Sequence, residues 1–246
     1  MIYPSRDQLR YTFRLFSKRE RLAFVILIIA AVIGFLGALD KINQKVSNLL
    51  PASGGTWREG IVGSPHFINP LLAISDPDRD LASLIYSGLL RPDGKGALIP
   101  DLAERYEISP DGLSYTFTIK PEASFHDGKP LRADDIIFTV ELAKNPVLKS
   151  PARANWEGVS AEKVDDRTVR FILRRTYAPF LENLTLGILP KHVWKDLQPE
   201  QMSLSEFNIN PVGSGPFKVA EVLRESSGII TSYTLKPFRD YPLGRP

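Results

Sequence analysis

Residues 109–143 read SPDGLSYTFTIKPEASFHDGKPLRADDIIFTVELA, and two periodicities meet inside them. Ser109-Pro110-Asp111-Gly112 is a tight-turn sequence, built from residues that accept the dihedrals a turn demands. Tyr115, Phe117 and Ile119 then alternate with Thr116, Thr118 and Lys120. That period of two predicts a strand with one buried face. From Ala133 to Ala143 the period changes. Ile136, Ile137 and Val140 fall at helical spacing, and Asn145-Pro146 stops the helix. Asp134 and Asp135 lie in its first turn, where acids favour the helix dipole. As adjacent helical residues they point in different directions, so they do not form an acid pair.

Working outward, the same mixture continues. Asp165-Asp166 predicts a second turn, after which Val169, Phe171 and Leu173 alternate with Thr168, Arg170 and Ile172. A short helix is expected over 179–184, with Pro179 tolerated in its first turn. Residues 217–222 and 229–235 read as a strand pair. Upstream, Leu81, Leu84, Ile85 and Leu89 predict a helix over 78–89, with Asp76-Pro77 at its start and Asp76 as cap. Residues 57–62 read as a strand ending in Gly63-Ser64-Pro65. There is no internal repeat. Strands and helices mix without strict βα alternation, so the fold class is mixed α/β (α+β).

The N-terminal part is different. Residues 22–39, LAFVILIIAAVIGFLGAL, are 18 consecutive residues without charge or hydrogen-bonding side chain. As a helix they span about 27 Å, close to the roughly 30 Å of a bilayer's hydrocarbon core. Residues 1–21 carry six basic side chains (Arg6, Arg10, Arg14, Lys18, Arg19, Arg21) against Asp7 and Glu20, a balance of +4. The positive-inside rule holds that segment in the cytoplasm and puts the rest of the chain outside. Signal peptides have an apolar core of about 7–15 residues and a small-residue cleavage site. This run is longer and lacks a clean Ala-x-Ala step, so the reading adopted is an uncleaved anchor, with a cleaved signal as the alternative. Residues 40–55 read as a tether broken by Pro51 and Ser53-Gly54-Gly55, and folded structure is expected from Thr56.

The chain's net charge is +3, so the part beyond residue 21 carries −1. The basic character belongs to the arm, and nucleic-acid binding has no support. With no cysteine there is no disulfide, thiolate metal site, Cys nucleophile or lipid-modified Cys. The histidines, His66, His126 and His192, lie far apart with no ligand-type spacing, so no metal or cofactor is implied. Gly213-Ser214-Gly215 lacks the spacing of a nucleophile elbow, and no Gly-Lys-Ser/Thr phosphate loop is present. Enzyme chemistry has no foothold.

Five separated segments carry a resemblance. They are Asn69-Pro70-Leu71-Leu72 with Ile85-Tyr86-Ser87-Gly88-Leu89-Leu90; Pro100-Asp101-Leu102-Ala103-Glu104 leading into Ser109–Phe117 of the opening stretch; Phe125-His126-Asp127-Gly128 through Ala133-Asp134-Asp135-Ile136; Leu189-Pro190-Lys191-His192; and Asn210-Pro211-Val212-Gly213-Ser214-Gly215-Pro216-Phe217. In this order they resemble the extracytoplasmic solute-binding proteins of ABC importers, family 5, which carry oligopeptides, dipeptides or nickel. The family usually has Thr where Arg132 stands. A guanidinium accepts no hydrogen bond, so that cap is expected to be lost or passed to a neighbour.

The resemblance implies a type II periplasmic-binding-protein-like first lobe, incomplete, preceded by one transmembrane helix. Residues 56–76 and 211–246 would be parts of hinge domain I, and 77–210 the inserted small domain. Relatives are about twice as long, so the expectation is an N-terminal portion of a longer protein. It implies no enzyme, an oligopeptide or similar solute as ligand, ABC permease subunits as partners, and a membrane location with the main domain outside. An anchored sensing or interaction domain of the same fold is the alternative. By resemblance, Ile74, Ser75 and Asp76 run along the peptide, and His66 beside them is the histidine expected to meet solute. Asn155 and Trp156, in a loop of the small domain, are expected at the cleft, with a core role for Trp156 as the competing reading. His126 and His192 are expected to order turns and connections.

Overall fold

The computed structural model describes residues 17–46 and 54–244. They form two compact units, one ending at Glu59 and the other beginning at Gly60. The first contains α1 (Lys18–Val46), a helix of 29 residues that is long and apolar enough to cross a membrane. Its apolar side chains from Leu22 to Leu39 are exposed. The helix runs past Leu39 to Val46, into the first half of the segment read as a tether. Nothing in Asp40-Lys41-Ile42-Asn43 breaks a helix, whereas Pro51 comes later. Arg6, Arg10, Arg14 and Pro51 lie outside the described residues.

The second unit does not open with a strand. Residues 57–62, on both sides of the unit boundary, have no ladder partner among the described residues, and Trp57 and Val62 are 87% and 97% exposed. A strand exists only where a neighbour shares its hydrogen bonds, so local pattern alone misplaced this one. Next comes α2 (Asp76–Ile85), followed by the antiparallel pair β1 (Leu90–Pro92) and β2 (Leu98–Pro100). The centre of the unit is a four-stranded antiparallel sheet of β3 (Ala103–Ile108), β4 (Ser114–Ile119), β5 (Val159–Asp165) and β6 (Thr168–Leu173), in the order β3-β4-β6-β5.

The predicted alternation positions the core. Tyr115 pairs with Phe171 and Phe117 with Val169 across β4 and β6, so these side chains share one face. Tyr115, Phe117, Ile119, Val169, Phe171 and Leu173 are all buried there. α3 (Ala133–Lys144) packs on β5 and β6 with Ile136 and Val140 inward. Two one-turn helices, α4 (Arg153–Trp156) and α5 (Phe180–Asn183), add Trp156 and Phe180 to this layer. Phe180 lies 4.7 Å from Tyr115 and 5.8 Å from Phe171, in tilted and edge-on geometries that aromatic pairs favour. After α6 (Lys191–Trp194), α7 (Pro199–Met202) and a 3₁₀ turn, the hairpin β7 (Phe217–Arg224) and β8 (Ile230–Pro237) closes the described chain.

Two helix boundaries differ from expectation. α2 begins at Asp76 and its cap is Ser75, whose hydroxyl accepts the Asp78 N–H (3.3 Å) while the Asp78 carboxylate accepts the Ser75 N–H (3.3 Å). This reciprocal box leaves Asp76 outside the capping role. The helix ends at Ile85 because Tyr86 turns extended and Gly88 passes against the Leu184 carbonyl, leaving no room for another turn. Leu84 is exposed, and Leu81, Ala82 and Ile85 make the inner face. At α3 no side chain caps the first-turn N–H groups, so the cap of the missing Thr is lost; only the other half of the box remains, the Asp135 carboxylate accepting the Arg132 N–H at 2.9 Å. The Arg132 guanidinium instead reaches Asp166 at 3.3 Å.

Candidate functional site

The residues expected to meet a solute gather at the start of α2. Asn69 is fully buried and shapes the approach: its main-chain oxygen accepts the Leu72 and Ala73 N–H, and its side chain accepts the Leu71 N–H (2.9 Å) and donates to Asn208 (3.2 Å). The chain emerges from this knot at Ile74, which is 66% exposed, and enters the helix through Ser75 and Asp76. Arg79 folds back from the next turn onto the Ile74 carbonyl and the Asp76 carboxylate.

The second wall is the loop bearing His66. The His66 and Phe67 N–H groups donate to one oxygen of Asp78 at 2.7 and 2.9 Å. Asp78 is 2% exposed. Burial raises its carboxyl, but the N–H of Phe67, the Ser75 hydroxyl and the N–H of His66 and Ser75 outweigh that and hold it below the usual carboxylate range. Thus His66, Ile74, Ser75 and Asp76 come together on one frame. By sequence alone Asp78, which supplies that frame, is only the first residue of a predicted helix. The signal for it was there, in the Ser75-x-x-Asp78 spacing of a capping box.

Asn155 and Trp156 make their contacts elsewhere. Asn155 is exposed, and its carbonyl accepts from Asn183 Nδ2 at 2.8 Å. Trp156 is 2% exposed and packs against Phe171 (5.9 Å) and Phe180 (6.1 Å). Its indole is a core side chain, which corrects the expectation that it lines a cleft. The short α4 turns its last residue inward, a direction that loop composition alone does not encode.

The segments that carried the resemblance converge around a second feature, a joint. His126 Nδ1 accepts the Gly213 N–H at 3.2 Å and Nε2 faces the Gly215 carbonyl at 3.0 Å. These partners assign the neutral ring with its proton on Nε2. Phe238 lies edge-on to the ring at 4.9 Å. Desolvation lowers the His126 imidazole to about 4, against a partial opposing effect of the Gly215 carbonyl. His192 meets Asp127 at 2.7 Å, and Asp135 accepts the Lys191 N–H at 2.8 Å. Desolvation raises Asp135 even so. Both histidines therefore order connections, as the sequence suggested.

Gly213 and Gly215 are needed at this joint because the chain lies directly on the end of α2. The Gly215 N–H donates to the Ile85 carbonyl at 2.8 Å, and a Cβ on Gly213 would overlap that carbonyl. Gly213→Ala is expected to destabilise the unit by about 1–3 kcal/mol through overpacking, read as a lower urea midpoint. An unchanged midpoint would mean that the 213–215 crossing moves freely.

Residues 97–244 match the family model described as bacterial extracellular solute-binding proteins, family 5 Middle. The chain belongs to this family. It is 33% identical over 214 residues to the oligopeptide-binding protein AppA of Bacillus subtilis, covering 83% of this chain and 39% of AppA. It is 34% identical over 187 residues to the dipeptide-binding protein of Escherichia coli, covering 67% and 35%. The solved structure of B. subtilis AppA with a nonapeptide overlays on 76% of this chain and 37% of its own, with TM-score 0.69 and 33% identity. NikZ of Campylobacter jejuni, solved with Ni(L-His), overlays with TM-score 0.65 at 32% identity, covering 76% and 35%. The chain thus spans between a third and two fifths of the length of these two curated relatives. Its mixed α/β fold is that of family 5 binding proteins, and these relatives are named for binding and not for catalysis.

Proposed function

We propose that this family 5 chain captures peptides outside the cell while tethered to the membrane, and that it serves an ABC importer through permease subunits. The observation that carries this reading is the overlay on AppA in complex with a nonapeptide. In this reading α1 is a retained anchor with a cytoplasmic N-terminus. Residues 56–76 and 211–246 belong to the hinge domain of a type II lobe, and 77–210 to the inserted domain. The solute main chain runs along Ile74, Ser75 and Asp76, beside His66, with Asn155 at the margin. An extended peptide held by main-chain bonds places few demands on side-chain identity.

Capture in such a protein works by closure of two lobes over the ligand. This chain supplies one face of that closure, so its own affinity for trialanine or a nonapeptide is expected near the millimolar range, about −4 kcal/mol. Calorimetry on the full chain in micelles, beside full-length AppA, tests this. Tight one-to-one binding by the chain alone would contradict the two-lobe reading.

The anchor has its own test. Membranes from cells making the chain are washed with alkaline carbonate, and the protein's mass is measured. The expected product retains residues 22–39 and stays in the pellet. A soluble product starting after Leu39 would replace the anchor by a cleaved signal.

A further inference from the structure

The carboxylate of Asp78 binds both walls of the candidate site. One oxygen takes the N–H groups of His66 and Phe67, at 2.7 and 2.9 Å, and the other takes the N–H of Ser75 at 3.3 Å. On the outer side, Arg79 clamps the Ile74 carbonyl and Asp76. Residues 74–76 are therefore fixed from within by a buried carboxylate and from without by an exposed guanidinium. We propose that Asp78 is a positioning residue that sets the spacing between the His66 loop and the Ile74–Ser75–Asp76 strip for the main chain of a bound peptide. The proposal rests on the peptide-binding reading given above.

The physical reason is preorganisation. A peptide strand bound by main-chain groups gains only if those groups already stand at the right separation, because ordering two independent loops on binding consumes the gain. Ile74 is exposed and Asp78 is buried, so Asp78 acts through the strip and does not itself meet the solute. The groups around the carboxylate are His66 and Ser75 on the two walls, Tyr233 on β8, and Arg224 on β7 acting on Tyr233. α2 itself packs on β7, which gives the frame a rigid back.

Asn at this position separates the two roles. An amide offers one acceptor oxygen and one NH₂ donor. With its oxygen kept on His66 and Phe67, the NH₂ faces the Ser75 N–H, donor against donor. Asp78→Asn thus keeps the loop bound and releases the strip. The experiment follows amide resonances of the full chain in micelles while trialanine, and separately a nonapeptide, is added. In the wild type the amides of His66, Phe67, Ser75 and Asp76 are expected to shift together. Asp78→Asn is expected to weaken that response about tenfold while the protein stays folded, in line with the loss of one hydrogen bond to a charged group.

A wild type that responds and an Asp78→Asn protein with the same affinity would overturn the positioning role and leave peptide binding intact. A wild type with no shift at these amides up to about 10 mM of either peptide would overturn the binding reading and the proposal with it. If the variant fails to fold, acid titration of the wild type decides. The His66, Phe67 and Ser75 amides are expected to titrate along one curve, and peptide affinity to fall along it too. An affinity that is indifferent to that titration would overturn the proposal.

Discussion

Replacing Trp156 with Ala is expected to cost the second unit about 3–5 kcal/mol, the range for removing a large buried aromatic. The indole stands at the meeting of two layers. It touches Phe171 on β6 and Phe180 on α5, and Phe180 in turn touches Tyr115 on β4. Truncation would leave a void that these rings cannot close, because Phe171 is held by the ladder to Tyr115 and Ala161. Urea unfolding monitored by far-UV dichroism measures the loss, with peptide-induced shifts at His66 and Ser75 as control. Those shifts should persist in the folded fraction, since Trp156 makes its contacts away from that strip. A stable variant with lost peptide response would restore the cleft reading of Trp156.

Acidification is expected to weaken the joint at His126. In the unfolded chain the imidazole takes up its proton near pH 6.5; in the folded chain it does so only near about 4. Above pH 6.5 the ring is neutral in both states and its contribution is fully present. As pH falls through this window, the unfolded chain gains a proton that the folded joint refuses, and stability drops. Below about 4 the folded ring is protonated as well and this loss stops. The gap corresponds to about 3 kcal/mol. The cause is geometric: a proton on Nδ1 would face the Gly213 N–H, and a half-buried cation would lie beside Phe238 and near Lys218.

His126→Gln should be less stable at neutral pH and should show a flatter profile between pH 6.5 and 4. The difference between the two proteins isolates this histidine from Asp78, whose lowered carboxyl adds acid sensitivity at lower pH. It also separates it from Asp101 and Asp135, whose raised carboxyls act in the opposite sense. Parallel profiles for wild type and variant would remove His126 as the source.

Much of this molecule was legible along the chain because short-range periodicity carries it. The alternation Tyr115-Phe117-Ile119 and Val169-Phe171-Leu173 gave two central strands and the face they bury. The spacing of Ile136 and Val140 gave α3, and the run over residues 22–39 gave a helix of membrane-spanning length. The resemblance carried by five scattered segments placed the chain in its family. Each of these rests on neighbours in sequence, where side-chain direction follows from the local period.

What the tertiary structure decided involves partners distant in sequence. A strand over 57–62 depended on a neighbour that the described residues do not provide. Trp156 turned inward because Phe171 and Phe180, on other elements, offered it a surface. Asp135 holds the Arg132 N–H at the start of α3 and also holds Lys191, which lies 56 positions away. His126 became a joint through glycines nearly ninety residues downstream. Asp78 became the frame of the candidate site by reaching back to His66 and Phe67. A buried polar group must find its partners wherever the fold supplies them, and local pattern says that partners are needed without saying which they are.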